Sequence, residues 1–261
     1  MTPDPYARTT WARILKTDLQ SHAYVAEQAD WPGAAVFSHA GVDGFNLAVL
    51  QQTTPAEADA LLGRLAAHYR ALGVTPRVRV TPLSEPADWP ARLQARGWIE
   101  AAGEEVFMQL VGSLRVPPNP EVQVFRAPAE VSLDDCVRVQ SEGFGGGGPV
   151  DEAVARAQHA LARWDYLFLV AQLDGQPVGA ASARFEAGAC GVYGVATLEG
   201  FRRRGVSTTM LHAIVDAAGQ RGCDLVFLSA EPHGYARGLY AHLGFVEVFH
   251  TYQYELPPGR P

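Results

Sequence analysis

The feature that most constrains the fold of this chain is an approximate internal repeat. Near its end the sequence passes through a helical pattern, a glycine, an aromatic residue, an aliphatic residue, a glutamate and a closing strand pattern, in YAHLGFVEVFHTYQYEL. The same order occurs in the first half, in LQARGWIEAAGEEVFMQL. Such a repeat predicts two copies of one supersecondary arrangement, although two unrelated α/β halves are the alternative interpretation.

A proline-rich stretch divides the two copies. Pro117, Pro118 and Pro120 lie within GSLRVPPNP, and proline continues neither a helix nor a central strand. We therefore predict a first domain over residues 1–112, a linker over residues 113–120 and a second domain over residues 121–261. A length of 261 residues suits two small domains.

Apolar periodicity predicts alternating strands and helices in both halves. The predicted strands are Arg77–Val80, Glu105–Leu110, Val122–Phe125, Tyr166–Leu173, Val178–Phe185, Gly191–Thr197, Leu225–Ser229, Phe245–Phe249 and Thr251–Leu256. The predicted helices are Pro55–Leu72, Trp89–Arg96, Leu133–Glu142, Asp151–Trp164, Arg203–Gln220 and Tyr235–Leu243.

The strongest local signal is the segment Val192–Leu211, where a strand and a short loop lead into a helix. The loop reads Arg202-x-x-Gly205-x-Ser207. The first amides of a helix have no intrahelical acceptor and lie at its positive end, so they bind anions. Gly205 allows close approach of the backbone, Ser207 is small, and three consecutive arginines add positive charge. The sequence therefore predicts an anion site at this helix start.

This segment resembles the pyrophosphate motif Q/R-x-x-G-x-G/A of the GNAT superfamily of acetyltransferases, with Ser207 where Gly or Ala is usual. The resemblance extends from about Val122 to Leu256 and includes Leu239–Phe245, which is similar to the family's LY…GF segment. It implies an α/β (α+β) fold with two GNAT-like domains, each a mixed, mostly antiparallel sheet flanked by helices. Acetyl-CoA is the implied co-substrate.

The first half departs from the motif. At the matching point it has Gln51–Ala56, which contains neither Arg nor Gly, and the position matching Tyr240 is approximately Leu93. We therefore expect a degenerate N-terminal domain that does not bind acetyl-CoA productively. The roles left to it are packing against the catalytic domain, completing the substrate cleft or mediating formation of a homodimer.

The resemblance also implies where acetyl-CoA binds. The strand before the motif helix would separate from its neighbour at Tyr193–Thr197, and Gly194 fits a bulge there. Backbone groups of Val195 and Thr197 would hold the pantetheine arm, and the amides from Arg203 to Thr208 would receive the pyrophosphate. The full set of expected cofactor-binding residues is Val195, Ala196, Thr197, Arg202, Arg203, Arg204, Gly205, Val206, Ser207 and Thr208.

Direct transfer of an acyl group to an amine needs a base and an acid. Tyr240 matches the family tyrosine that protonates the leaving sulfur, and a phenol with a pKa of ~10 is protonated at neutral pH. Glu186 and Glu231 are the candidate bases; Glu231 would act directly or through a water, and Tyr193 is a candidate residue lining the path of that water. The alternatives are a core tyrosine and solvated carboxylates at strand ends.

We expect a small-molecule primary amine as acceptor, bound by the region Leu133–Trp164. Glu142, Phe144 and Trp164 are the candidate lining residues, and the glycine run Gly145–Gly148 is a candidate lid. A peptide or protein acceptor, a non-catalytic acyl-CoA sensor and an unrelated phosphate-binding regulatory domain are the alternatives.

Composition and sequence pattern argue against several other classes of protein. A net charge of -7 disfavours a nucleic-acid-binding protein, and no apolar run approaches the ~20 residues of a membrane helix. The start of the chain has no apolar signal segment, so we expect a cytoplasmic protein. The eight histidines show no metal-ligand spacing, so we expect no metal, and the three cysteines form no CxxC pair.

Overall fold

The computed structural model of the protein describes residues 5–23, 26–40, 42–101, 103–144, 155, 156, 159, 161 and 166–258. Over these residues twelve strands form one sheet, with six helices packed on its faces. The strands are β1 (Glu27–Trp31), β2 (Ala34–Ser38), β3 (Leu47–Leu50), β4 (Arg77–Val80), β5 (Ile99–Glu100), β6 (Glu105–Leu110), β7 (Gln123–Ala127), β8 (Tyr166–Leu173), β9 (Gln176–Glu186), β10 (Ala189–Thr197), β11 (Leu225–Ala230) and β12 (Phe245–Glu255). The helices are α1 (Pro5–Ala23), α2 (Pro55–Ala71), α3 (Trp89–Ala95), α4 (Leu133–Gly143), α5 (Val206–Gln220) and α6 (Tyr235–Leu243).

The sheet is mixed and mostly antiparallel. Its strand order is β1-β2-β3-β4-β12-β6-β11-β10-β9-β8-β7, and β5 pairs with β12 beside this path. Two strand pairs are parallel, β3 with β4 and β10 with β11, one in each half of the chain. The predicted fold class is confirmed.

The closing strands of the two repeats change places. Strand β6, which closes the first repeat, lies between β11 and β12 of the second half. In return, residues 252–255 of β12 pair with β4 and β5 of the first half. Each half is therefore completed by the other's last strand, and a single sheet runs through the whole molecule.

The two faces of the sheet carry different helices. In the second half, one face packs against α5, and its cluster includes Val106, Met108, Val226, Leu228 and Ala230. The opposite face packs against α1, and its cluster includes Ile14, Leu15, Phe107, Leu225 and Phe227. Side chains along β6 and β11 alternate between these faces, as the pleat of a strand requires. The position of a residue in either strand therefore determines on which face of the sheet its side chain lies.

Most predicted helices and strands are observed, with bounds that lie within a few residues of the predicted ones. Three differences are informative. The two predicted final strands form one strand, β12, which continues through His250, where the break was predicted, and has its register irregularity earlier, between Glu247 and Phe249. The helix predicted from Arg203 begins at Val206, because Gly205 takes a left-handed conformation with φ +74°. Helix α1 and strands β1–β3 lie before the first element that the sequence predicts.

Several predictions fall where little is described. The predicted helix Asp151–Trp164 is described at residues 155, 156, 159 and 161 alone. The glycine run Gly145–Gly148 and Trp164 lie outside the described residues. Within the part of the chain that is described, no helix combines the length and apolarity needed to cross a bilayer.

Candidate active site

A gap opens in the sheet between β10 and β11. Their parallel pairing begins at Ala189 and Leu225 and ends at Val192 and Leu228. Beyond that point β10 continues to pair with β9, but through an irregularity between Tyr193 and Ala196. The backbone of β10 from Tyr193 to Thr197 is therefore no longer bonded to β11, as predicted for a strand that separates from its neighbour.

Gln140 of α4 supports the irregular part of β10. Its Nε2 donates a hydrogen bond to the carbonyl oxygen of Gly194, with an N–O distance of 2.8 Å. Gly194 has φ +59°, and a Cβ at this position would collide with the Gln140 side chain. Glycine is thus required here for two reasons, its conformation and the close approach of α4. This support was not predicted.

The start of α5 presents unpaired backbone donors. Arg203 and Gly205 both have left-handed backbones, with φ +62° and +74°, and no side chain caps the helix. The first helical hydrogen bond runs from Thr209 N to Gly205 O, at 2.9 Å. Among the described residues, the six amides from Arg203 to Thr208 have no hydrogen-bond acceptor. Unpaired amides at the positive end of a helix form an anion site.

The linker between the two repeats holds this loop in place. Asn119 Nδ2 donates to the carbonyl oxygen of Arg204 at 2.9 Å, and Asn119 N donates to Thr209 Oγ1 at 2.9 Å. The Thr209 hydroxyl in turn donates to Gly205 O at 2.9 Å. A Cβ on Gly205 would lie 3.0 Å from the Cβ of Asn119. The conformation of the loop is therefore fixed by a residue some 85 positions earlier in the chain.

The predicted cofactor residues divide into two groups. Arg202 is engaged within the protein, since its Nε donates to Thr197 O at 3.3 Å and its Nη2 donates to Gly143 O at 3.1 Å. The Ser207 and Thr197 hydroxyls lie 2.9 Å apart. These side chains hold the loop against β10 and α4. The guanidinium groups of Arg203 and Arg204 extend into solvent, and that of Arg204 lies over the Phe201 ring at 5.6 Å.

Tyr240 is buried on the α5 side of the sheet. It belongs to the same core cluster as Val206 in the first turn of α5 and Ala230 at the end of β11. Its ring centroid lies 5.9 Å from that of Phe245. Burial raises the pKa of Tyr240 to about 12, so its hydroxyl is protonated at neutral pH. The structure thus brings Tyr240 into the same cluster as the helix start.

The two candidate bases occupy very different positions. Glu231 directly follows β11 at the open end of the gap and is exposed, with no ion pair to any described residue. Glu186 pairs with Ala189 at the opposite end of β10, about 20 Å along the strand from Val195 at ~3.3 Å per residue. There its carboxylate pairs with Arg184 at 3.1 Å and Lys16 at 3.9 Å. The structure does not bring Glu186 together with Tyr240.

Among the described residues, the first repeat lacks the row of six unpaired amides that the second repeat has. Its parallel strands β3 and β4 also separate, but Thr53 N donates to Glu85 O at 3.0 Å and Glu85 N donates to Gln51 O at 3.2 Å. Helix α2 begins with Pro55, which has no amide hydrogen, and the Thr54 hydroxyl accepts from Glu57 N. One equivalent amide hydrogen is therefore absent, at Pro55, and the amides of Thr53 and Glu57 are already engaged.

The predicted acceptor region is described in part. Glu142 lies near Arg138, with an O–N distance of 3.4 Å, and the Phe144 side chain is exposed at the end of α4. Burial raises the pKa of the Cys136 and Cys190 thiols to about 12, so neither is a thiolate at neutral pH. Across the described residues, no three His, Cys, Asp or Glu side chains are grouped as metal ligands.

The chain was compared with protein-family models, with curated proteins and with solved structures. A family model described as "Acetyltransferase (GNAT) family" matches residues 133–245. The comparison with curated proteins finds no match. A GCN5-related N-acetyltransferase from Kribbella flavida is 19% identical, with a TM-score of 0.71 over 95% of this chain and 96% of that chain.

Two further solved structures resemble this chain over most of its length. A GCN5-related N-acetyltransferase from Sphaerobacter thermophilus is 18% identical, with a TM-score of 0.57 over 87% of this chain and 77% of that chain. A tandem GNAT protein from the clavulanic acid biosynthesis pathway is 15% identical, with a TM-score of 0.58 over 87% of this chain and 80% of that chain. At these identities the likeness shows the fold alone.

Proposed function

Residues 133–245 of this chain belong to the GNAT acetyltransferase family, and from this premise we propose that the protein transfers an acetyl group directly from acetyl-CoA to a primary amine of a small molecule. The observation that carries the proposal is the row of six unpaired amides from Arg203 to Thr208, beside a gap in the sheet. These residues fit the diphosphate of a CoA thioester, which would supply an activated acyl group.

We propose that the two repeats share one catalytic site. The second repeat holds the diphosphate at the start of α5, and the separated backbone of Val195, Ala196 and Thr197 accompanies the pantetheine arm. The first repeat is a degenerate GNAT-like domain, because its equivalent segment has no amide hydrogen at Pro55 and its Thr53 amide is bonded to Glu85. The proposed unit boundaries stay at residues 1–112 and 121–261, with the linker between them.

The proposed chemistry needs two proton transfers. As the C–N bond forms and the C–S bond breaks, the amine loses a proton and the sulfur gains one. Tyr240 is the proposed acid, because burial keeps its phenol protonated. Glu231 is the proposed base, acting directly or through water, because it lies at the open end of the gap. Glu186 is not retained in this role, because it lies at the far end of β10.

The proposal predicts a separation of binding from turnover in Tyr240→Phe. Loss of a positioned acid lowers turnover by roughly 10²- to 10⁴-fold, while the dissociation constant of acetyl-CoA stays within about twofold, because the ring remains in the core. Calorimetry gives the binding constant, and release of free thiol gives the rate. Tyr252→Phe, a change at a half-exposed tyrosine of β12, is the matched control.

The same assays separate the alternatives. Polyamines, amino acids, aminoglycosides and peptides form the acceptor panel. Thiol release with peptides alone would favour a peptide N-acetyltransferase. Tight binding of acetyl-CoA without thiol release from any amine would contradict the proposed enzyme and favour a sensor. If Tyr240→Phe lost binding and turnover together, the role of Tyr240 as acid would be wrong.

A further inference from the structure

The strand exchange places a carboxylate of the first repeat beside the gap of the second. In β6, Val106 pairs with Ala230, the last residue of β11, so Glu105 lies one position further, next to Glu231. On its other side, Glu105 pairs with Thr251 of β12. Adjacent strands are ~4.8 Å apart, so Glu105 is one strand away from the edge of the gap.

Glu105 lies on the face of the sheet opposite to the diphosphate site. Its neighbours Val106 and Met108 pack towards α5, whereas Phe107 packs towards α1, and Glu105 shares the side of Phe107. In the proposed complex, CoA occupies the α5 face of the sheet. An acceptor that reaches the acyl group through the gap therefore approaches from the opposite face. Glu105 is therefore on the acceptor's side.

The Glu105 carboxylate is fixed in position yet accessible. Ser229 Oγ, at the edge of the gap, donates to Glu105 Oε1 at 3.1 Å, and Arg79 Nη2 lies 3.2 Å from Oε2. The Arg79 side chain is 9% exposed, whereas that of Glu105 is 31% exposed. A solute that reaches this point therefore meets the carboxylate and not the guanidinium.

The charged side chains around the Glu105 carboxylate give this part of the surface no net positive charge. Arg79 is shared between Glu105 and Asp18, which lies 3.1 Å from Nη1. Burial, and next the Arg79 charge, lower the pKa of His22 to about 4, so this neighbour is uncharged at neutral pH. Glu231 adds an exposed carboxylate, and His250 is already near Glu104 at 3.0 Å. A cation is the complementary ligand.

Two buried polar atoms beside Glu105, the Thr251 hydroxyl and Arg79 Nε, have no hydrogen-bond partner among the described residues. Thr251 is the cross-strand partner of Glu105. Buried polar groups are seldom left unpaired, because desolvation without a hydrogen bond is unfavourable. Because Thr251 is fully buried, an ammonium group bound at Glu105 reaches its hydroxyl only when the Glu105 side chain moves on binding.

We infer that Glu105 binds a positively charged group of the acceptor, and that the acceptors are amines carrying a second positive charge, such as diamines, polyamines or aminoglycosides. The inference rests on the proposed function and extends it to a substrate class. It also gives the first repeat a direct part in catalysis, because Glu105 and Arg79 both come from residues 1–112. Glu105 is an acceptor-binding residue; Arg79 and Ser229 position its carboxylate.

The test compares two amines with the same four-carbon chain, 1,4-diaminobutane and butylamine, with the full-length protein. The wild-type protein is expected to have a higher kcat/KM for the diamine. Glu105→Gln should raise KM for the diamine about 10- to 100-fold, as loss of a charge-assisted contact does, and leave KM for butylamine within twofold. Glu105→Asp, which keeps the charge, should restore part of the diamine affinity.

Glu27→Gln in β1, at the other edge of the sheet, is the matched control, and the dissociation constant of acetyl-CoA reports on the integrity of the fold. If Glu105→Gln does not fold, the test uses two other measurements: the preference of the wild-type protein for the diamine over butylamine, and the KM of Glu105→Asp for the diamine. Equal use of both amines by the wild-type protein, or equal KM increases for both in the variant, would overturn the inference. No transfer to any amine by a wild-type protein that binds acetyl-CoA would instead overturn the proposed function.

Discussion

At the scale of single residues, the chemistry of the site depends on what the protein leaves unpaired. Every residue except proline carries an amide hydrogen, but six consecutive amides without an acceptor occur at the start of α5, where Gly205 turns the chain and no side chain caps the helix. In the first repeat Thr54 caps the matching helix and Pro55 removes a donor. The difference between the repeats is thus a difference in capping.

This account predicts that Gly205→Val weakens binding of acetyl-CoA about 10- to 100-fold. A β-branched residue disfavours φ +74°, and its Cβ would lie 3.0 Å from that of Asn119, so the amides would be displaced. Calorimetric titration measures the effect. Gly219→Val, near the other end of α5, is the control, because a Cβ there has no atom within 4 Å. Unchanged affinity in Gly205→Val would place the diphosphate elsewhere.

The pKa of Tyr240 adds a pH dependence to the Tyr240→Phe test. Burial raises this pKa to about 12, so the protonated form that donates to sulfur persists above pH 10, where a free tyrosine would be half ionised. We expect turnover of the wild-type protein to show no decline from Tyr240 ionisation up to about pH 11. A decline centred near pH 10 that Tyr240→Phe abolishes would contradict the buried position of this phenol.

Within the proposed site, the sequence can indicate the residues whose partners are local. All the donors of the anion site lie within six consecutive residues, so the motif around Gly205 reveals them. Asn119, Gln140 and Glu105 could not be found in this way, because each acts on a residue 54 to 124 positions away. The internal contacts of Arg202 with Thr197 and Gly143 likewise depend on where β10 and α4 meet.

At the scale of elements, strands and helices with clean periodicity were predicted well, and those with mixed faces were not. The bounds of β4, β6, β8 and α6 are the predicted ones. Helix α1 buries Thr17 and Asp18 beside Ile14 and Leu15, so its buried face does not read as an apolar stripe. Residues 245–255 were predicted as two strands divided at His250, but they form one strand whose register irregularity lies between Glu247 and Phe249.

The position of β6 leads to a prediction about fragments. A fragment of residues 113–261 lacks β6, so the edges of β11 and β12 that normally pair with it are exposed, and the core loses Val106 and Met108. We expect this fragment to be insoluble, and a fragment of residues 104–261, which keeps β6, to yield more soluble protein. Expression and size-exclusion chromatography of both fragments measure this.

Co-expression with residues 1–112 provides the control, since this partner supplies β6 in trans and should recover soluble 113–261 as a complex. If residues 113–261 alone were a monomer that unfolds cooperatively and binds acetyl-CoA as the full chain does, β6 would not be an integral strand of the second half.

At the scale of the whole molecule, the exchange of closing strands makes two similar repeats into one unit. The local pattern of each repeat is the same whether its last strand stays in its own sheet or crosses to the other, so the sequence could predict the repeat but not the exchange. The consequence that we propose is asymmetric: the second repeat supplies the anion site, and the first contributes β6, with Glu105, to the side of the gap from which the acceptor would approach.

The most direct test of the central claim is a crystal structure of the full-length protein with acetyl-CoA. We expect one acetyl-CoA per chain, with its diphosphate accepting hydrogen bonds from amides between Arg203 and Thr208 and its thioester at the gap between β10 and β11. A diphosphate bound at the start of α2, or a start of α5 that stays without ligand while acetyl-CoA binds elsewhere, would contradict it.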